Sequence, residues 1–196
     1  MSSEIRERIL DAAVDCLLES GLDARLHATI AARAGFSRPT LYKHVGDQEA
    51  ILAAVREREI EAFFAAALPV LRSSDDLGRH LVDAVIFVVH YADGHALLQK
   101  ALRDHPEFVL PHLTIGSGEL IEHVIEIFEP QLRRALAGSN APDLDPRVAA
   151  EWIYRIVISL IITPSTVVDR SVEGLREYVE GLLALAGVAE RPATGV

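Results

Sequence analysis

Apolar residues recur along most of this chain at spacings of three and four, the repeat of a helix that buries one face. Ile5, Ile9, Ala13, Cys16 and Leu17 form such a stripe between Glu4 and Ser20, and Gly21 ends it. Ile30, Ala31 and Ala34 give a second, shorter helix a small apolar face that lets a neighbour approach closely. Gly35 falls where a helix closes on a left-handed residue, a conformation glycine adopts without a Cβ penalty. Phe36 is placed to fill the corner beneath that turn. Ser37 is a good N-cap, and Pro39 sits in the first turn of a third helix, where its missing N–H would be unpaired anyway. Leu41 points inward and Val45 closes this helix. Asp47 caps a fourth, with Glu49 near its positive end. That helix is predicted to reach about Arg72, with Pro69 disturbing its last turn.

The pattern continues as helix after helix. Ser73-Ser74-Asp75-Asp76 predicts a helix start, and the helix runs to about Tyr91 before Asp93-Gly94 breaks it. A shorter helix follows to Arg103. His105-Pro106 opens another stretch, whose register Pro111 and Gly116-Ser117-Gly118 leave open. Glu119 to Ala137 is helical, Gly138 to Asp145 is a loop, and Asp145-Pro146 is a cap followed by a first-turn proline. From Ala149 to Ile162 nearly every side chain is apolar, and a helix apolar all round must be covered all round. Ser171 caps a final helix bearing Leu175, Tyr178, Val179, Leu182, Leu183 and Leu185 before Gly187. These last two helices, at about 146–164 and 171–187, either fill a monomer core or pair with their copies in a four-helix dimer interface.

Functionally, the run from Ala31 to His44 is the informative one. Two short helices joined by a glycine turn form a helix-turn-helix. The outer face of the second carries Arg38, Thr40, Tyr42, Lys43 and His44, a set suited to phosphates and base edges. A helix of about two turns fits the major groove, its first residues meeting the bases. The plainer reading is a solvated helical hairpin. The order and lengths of the flanking helices favour a small domain with a built-in recognition helix.

The run Arg8-Ile-Leu-Asp-Ala-Ala, then Glu19-Ser-Gly21, Ile30-Ala31, Ala34-Gly35-Phe36-Ser37 and Thr40-Leu41-Tyr42-Lys43-His44 resembles the N-terminal domain of the TetR family of bacterial transcriptional regulators. The resemblance is at motif level over about the first fifty-five residues. Beyond them it rests on length and helix layout. It implies an all-α fold with an N-terminal three-helix helix-turn-helix DNA-binding domain and a larger helical ligand-binding and dimerisation domain. Here these are set at 1–48 and 49–189, followed by a disordered tail at 190–196. The resemblance also implies a homodimer and release of an operator when a small molecule binds. Tyr42 and His44 match positions that contact phosphates, and Arg38, Pro39, Thr40 and Lys43 match positions that read bases or pack in the groove. Two positions depart from the pattern. Leu26 and His27 stand where the family usually opens its second helix with Ser or Thr, and Gln48 stands where it often has Lys. The expected DNA-binding set is His27, Ser37, Arg38, Pro39, Thr40, Tyr42, Lys43, His44 and Gln48.

Charge narrows the reading. The chain of 196 residues has 19 Lys and Arg against 29 Asp and Glu, a formal net charge of −10. Residues 1–50 hold six basic and eight acidic residues, a net −2. Nucleic-acid binders usually carry a basic patch, so any positive footprint here is local to one helix face. The acidic bulk argues against anionic membranes and generic RNA binding. Charges at Glu4, Arg6, Glu7, Arg8 and Asp11 interrupt the N-terminus, so no secretory signal is expected. Ile156 to Ile162 is too short for a membrane span. The single cysteine, Cys16, lies on the apolar stripe of the first helix and excludes an intrachain disulfide. A cytoplasmic location follows as the expectation.

Small-molecule sites are mostly apolar with a few convergent polar groups. Phe87, His90, Tyr91, Leu98, Phe108, His112, Trp152 and Arg155 are the candidates for such a site, suited to an apolar or amphipathic effector; the plain alternative is ordinary core. No enzyme is expected. None of the six histidines between His80 and His123 is paired with another at the four-residue spacing of helical metal ligands. No phosphate loop or nucleophile elbow occurs, so no metal, cofactor or catalytic residue is assigned. The expected function is a ligand-responsive regulator, a repressor that binds a palindromic double-stranded DNA operator as a homodimer. The alternative is a dimeric helical ligand-binding or interaction protein with weak or lost DNA binding.

Overall fold

The computed structural model describes residues 2–22, 25–71, 76–138, 143–163 and 165–185, and every regular element among them is an α-helix. The ten described helices are α1 (Ser2–Ser20), α2 (His27–Ala34), α3 (Arg38–His44), α4 (Gln48–Leu71), α5 (Leu77–Gly94), α6 (Ala96–Asp104), α7 (Pro106–Leu113), α8 (Gly118–Ala137), α9 (Pro146–Ile162) and α10 (Val172–Leu185). The chain divides into two compact units, Met1–Phe64 with His95–Val109, and Ala65–Gly94 with Leu110–Val196. The start predicted at Ser73 to Asp75, the middle of the 138–145 loop and the tail expected at 190–196 lie outside the described residues.

The first unit closes around the stripe of α1. Ile9, Leu10, Ala13, Cys16 and Leu17 pack with Ile30, Ala31 and Ala34 of α2, Leu41 of α3 and Ile51, Ala54 and Val55 of α4. Burial pushes the Cys16 thiol up, because an apolar setting disfavours the thiolate. Polar side chains fasten the outside of this core. The Arg58 guanidinium on α4 donates to Asp11 on α1 at 2.8 Å and lies 3.5 Å from Glu7. His95 is the N-cap of α6, where its Nδ1 accepts from the Leu98 N–H at 3.1 Å. Since Nδ1 accepts, the neutral ring carries its proton on Nε2, which donates to the Glu59 carboxylate at 3.0 Å.

In the second unit Val82, Val85 and Val89 of α5 pack with Val157 and Leu160 of α9 and Leu175 and Val179 of α10. The expected caps are in place. Asp145 accepts from the Arg147 N–H at 2.8 Å, and Ser171 Oγ accepts from the Gly174 N–H at 3.1 Å. The Tyr154 hydroxyl donates to the Leu113 carbonyl at 2.9 Å. Pro69 stands in the last turn of α4, which ends at Leu71, and α8 runs through Pro130. The fifth helix outlasts Tyr91, reaching Gly94.

Gly174 is required by space. A Cβ there would stand 2.5 Å from the Asp169 Cβ and 2.6 Å from the Asp169 carbonyl oxygen, whereas one at Gly181 on the same helix would meet nothing within 4 Å. Gly174→Ala is expected to destabilise the fold by about 1–3 kcal/mol through overpacking. Gly181→Ala is expected to stabilise it by up to about 1 kcal/mol through helix propensity. Urea midpoints of the two variants measure the contrast. Midpoints that move together would show that the Asp169 contact is not what fixes Gly174.

Candidate nucleic-acid interface

The turn between α2 and α3 forms because each end has its own stop. Gly35 takes φ 75° and ψ 29°, the left-handed closure expected of it, and the Phe36 N–H returns to the Ala31 carbonyl at 2.9 Å. Arg8 of α1 completes the corner. Its guanidinium donates to the Ala34 carbonyl at 2.9 Å and lies 4.8 Å above the Phe36 ring, which packs against the core. Ser37 opens α3, its Oγ accepting from the Thr40 N–H at 3.3 Å and lying 2.8 Å from the Thr40 hydroxyl. Leu41 is fully buried beneath the helix, so the register of α3 about its own axis is fixed.

That register turns Arg38, Pro39, Tyr42 and Lys43 outward, while Thr40 and His44 are half-buried. Tyr42 is 51% exposed. The ring of His27, at the start of α2, stacks on it with centroids 4.9 Å apart and planes 11° from parallel. Leu26 is a core residue and supplies no side-chain cap to α2. Its N–H instead donates to Gln48 Oε1 at 3.2 Å, so Gln48 ties the start of α4 to the start of α2. Of the nine residues expected at the interface, the fold therefore pairs His27 with Tyr42 and Ser37 with Thr40, and presents Arg38, Pro39 and Lys43 to solvent. Arg8 and the Leu26–Gln48 bond were missed, since no local pattern marks partners twenty or more residues apart.

The electrostatics follow from how the arginines are used. Arg33 donates to Glu19 at 2.6 Å, and this bond holds the Glu19 carboxyl below its usual range. Arg6 lies 3.7 Å from Glu57, and Arg8 serves the turn. Among the described residues Arg38 and Lys43 make no ion pair, so the positive charge on the outer face of α3 is theirs. Anions approaching this face meet two uncommitted cations and a preset phenol.

The eight effector candidates are divided between the two units. Leu98 and Phe108 belong to the first unit and the other six to the second. Phe87 and Tyr91 touch through their rings at 5.8 Å. His90 is exposed and bonds the Arg170 carbonyl at 2.9 Å through Nε2. His112, Trp152 and Arg155 are also exposed, and the Arg155 guanidinium pairs with Glu151 on its own helix.

A Ser-capped, proline-started helix behind a left-handed glycine, with its polar face outward, defines a helix-turn-helix DNA-binding protein. Residues 9–55 match the family model of bacterial regulatory proteins, tetR family. The HTH-type transcriptional regulator YdeS of Bacillus subtilis is 30% identical over 184 residues, covering 85% of this chain and 83% of YdeS. The fold agrees with a TetR-family transcriptional regulator from Pectobacterium atrosepticum at TM-score 0.71 and 20% identity, covering 97% of each chain. It also agrees with the TetR family repressor AlkX from a Dietzia strain, implicated in biodegradation of n-alkanes, at TM-score 0.61 and 27% identity, covering 92% of this chain and 95% of that one. The chain belongs to the TetR family of transcriptional regulators. It is an all-helical DNA-binding protein, and no single described helix is long and apolar enough to cross a membrane.

Proposed function

We propose that this regulator is a homodimeric repressor whose two α3 helices read the half-sites of a palindromic operator and whose larger helical domain, 49–189, binds a small apolar or amphipathic effector that releases the DNA. The outer face of α3 carries the reading: Arg38 and Lys43 are exposed and without ion pairs among the described residues, beside a stacked Tyr42. In this reading Arg38, Pro39, Thr40 and Lys43 meet bases or groove walls, and Tyr42 and His44 meet phosphates. Dimerisation through α9 and α10 is supported by the large apolar side chains they leave exposed, Val148 and Trp152 on one and Val172 on the other. A two-fold protein matches a two-fold operator, with recognition helices about 34 Å apart. Effector binding acts by differential affinity, favouring the dimer geometry in which that spacing is lost. An apolar effector is in keeping with the composition of the second unit and with the alkane association of AlkX.

The rival reading, a ligand-binding dimer with weak DNA binding, draws on Gln48 being held by the Leu26 N–H and Arg33 by Glu19. Native mass spectrometry of freshly purified protein tests the effector arm. A dimer carrying a retained small molecule, which lowers operator affinity when added back, is the expected result. A bare dimer whose operator affinity no apolar extract of the host changes would refute that arm.

A further inference from the structure

Resting on the DNA-binding reading, we propose that His27 acts as a positioning residue for DNA recognition, holding the Tyr42 ring in the orientation in which its hydroxyl meets the DNA backbone. The two rings lie nearly parallel, 11° apart with centroids at 4.9 Å, an offset stack between the first residue of α2 and the exposed face of α3. The Nε2 nitrogen of His27 is shielded from solvent and has no hydrogen-bond partner among the described residues. A nitrogen so placed is not the atom that meets a phosphate. What His27 offers Tyr42 is the flat face of its ring.

The reason lies in how α2 begins. With Leu26 buried in the core at 4% exposure, no side-chain oxygen caps this helix, and the Leu26 N–H is satisfied by Gln48. At its cap position α2 has no hydroxyl: Gln48 accepts only the N–H of Leu26 itself, and His27 serves the DNA contact indirectly through Tyr42. The need is physical. A phenol that is half in solvent turns about two side-chain bonds, and fixing it on binding costs affinity. A stack that fixes it beforehand removes that cost from the binding step. It also couples α2 to the exposed face of α3, since the ring pair bridges the two helices across the turn.

The experiment compares full-length His27→Ala, His27→Gln and His27→Phe in titrations of a palindromic operator duplex, each also combined with Tyr42→Ala. The stack corresponds to a loss of about three- to tenfold per half-site for His27→Ala and His27→Gln. His27→Phe, which restores a flat ring without nitrogens, recovers most of it. On the Tyr42→Ala background none of the three substitutions adds a further loss. Fluorotyrosine labelling gives a second readout on the free protein: the Tyr42 fluorine signal, assigned by its absence in Tyr42→Phe, shifts in His27→Ala. Losses that simply add to that of Tyr42→Ala, or a His27→Phe as weak as His27→Ala, would overturn the proposal, as would a fluorine signal indifferent to His27→Ala. Because that signal needs no DNA, failure of the stack is distinguishable from failure of DNA binding itself.

Discussion

Arg38→Ala is expected to weaken binding to the preferred operator by about ten- to a hundredfold in the dimer and to relax discrimination at one base pair of each half-site. The magnitude follows from geometry and charge together. Arg38 is the first residue of α3, and the end of a recognition helix that enters the groove first is its N-terminus. Ser37 caps that end and Leu41 anchors it, so the side chain leaves the helix in a fixed direction. Among the described residues it has no carboxylate to give up on binding. Tyr42→Phe removes one hydroxyl from the same face, and is expected to weaken operator and unrelated DNA alike, by about two- to fivefold per half-site. Titrations of both variants on operator and scrambled duplexes at two salt concentrations separate the two roles. Unchanged affinities for both would mean that α3 is not the reading element.

Trp152→Glu is expected to convert a dimer into a monomer at micromolar concentration, and to lower operator affinity by at least about a hundredfold as the two half-sites lose their tether. Trp152 lies on α9 one turn from Val148, with exposures of 52% and 39%. Aromatic side chains of this size are enriched where interfaces bind most tightly. At a two-fold contact the new carboxylate faces its own copy or the apolar surface beside it, and both are costly. The side chain is half in solvent within one chain, so helix content by circular dichroism should be unchanged. Sedimentation measures the assembly directly. A wild type that sediments as a monomer, or a Trp152→Glu variant that remains a dimer, removes α9 from the interface.

What the sequence displayed of this fold was its local grammar. Gly35, Ser37, Pro39, Asp145 and Ser171 each act on residues within a few positions, and each takes its expected place. The partners that lie far along the chain were not legible. Arg8 closing the turn, Gln48 serving α2 and the His27–Tyr42 stack all join segments whose approach is decided by packing of the whole unit. His95 as a cap was missed for a different reason, since histidine is not among the favoured N-cap residues and its fit depends on Glu59 fixing the tautomer. Gly174 gave no signal because the atoms that exclude a Cβ belong to Asp169, in the turn before the helix. For the effector candidates, periodicity identified helix faces without showing which faces meet. Trp152 and Arg155 stand on the exposed side of α9, where the same apolar composition serves a subunit contact equally well. The charge count was informative in the opposite sense. A net −2 over residues 1–50 looked poor for DNA, yet among the described residues Arg38 and Lys43 make no ion pair, while Arg33 is held by Glu19.

The central claim, that α3 of the proposed dimer reads a specific two-fold DNA sequence, is tested most directly by selection from random-sequence duplex DNA at moderate salt with the full-length protein. The account predicts enrichment of a palindrome whose half-site centres lie about one helical turn apart, or a multiple of it. It further predicts that Arg38→Ala enriches the same palindrome with one position per half-site degenerate. No enriched palindrome with the wild-type protein would contradict it.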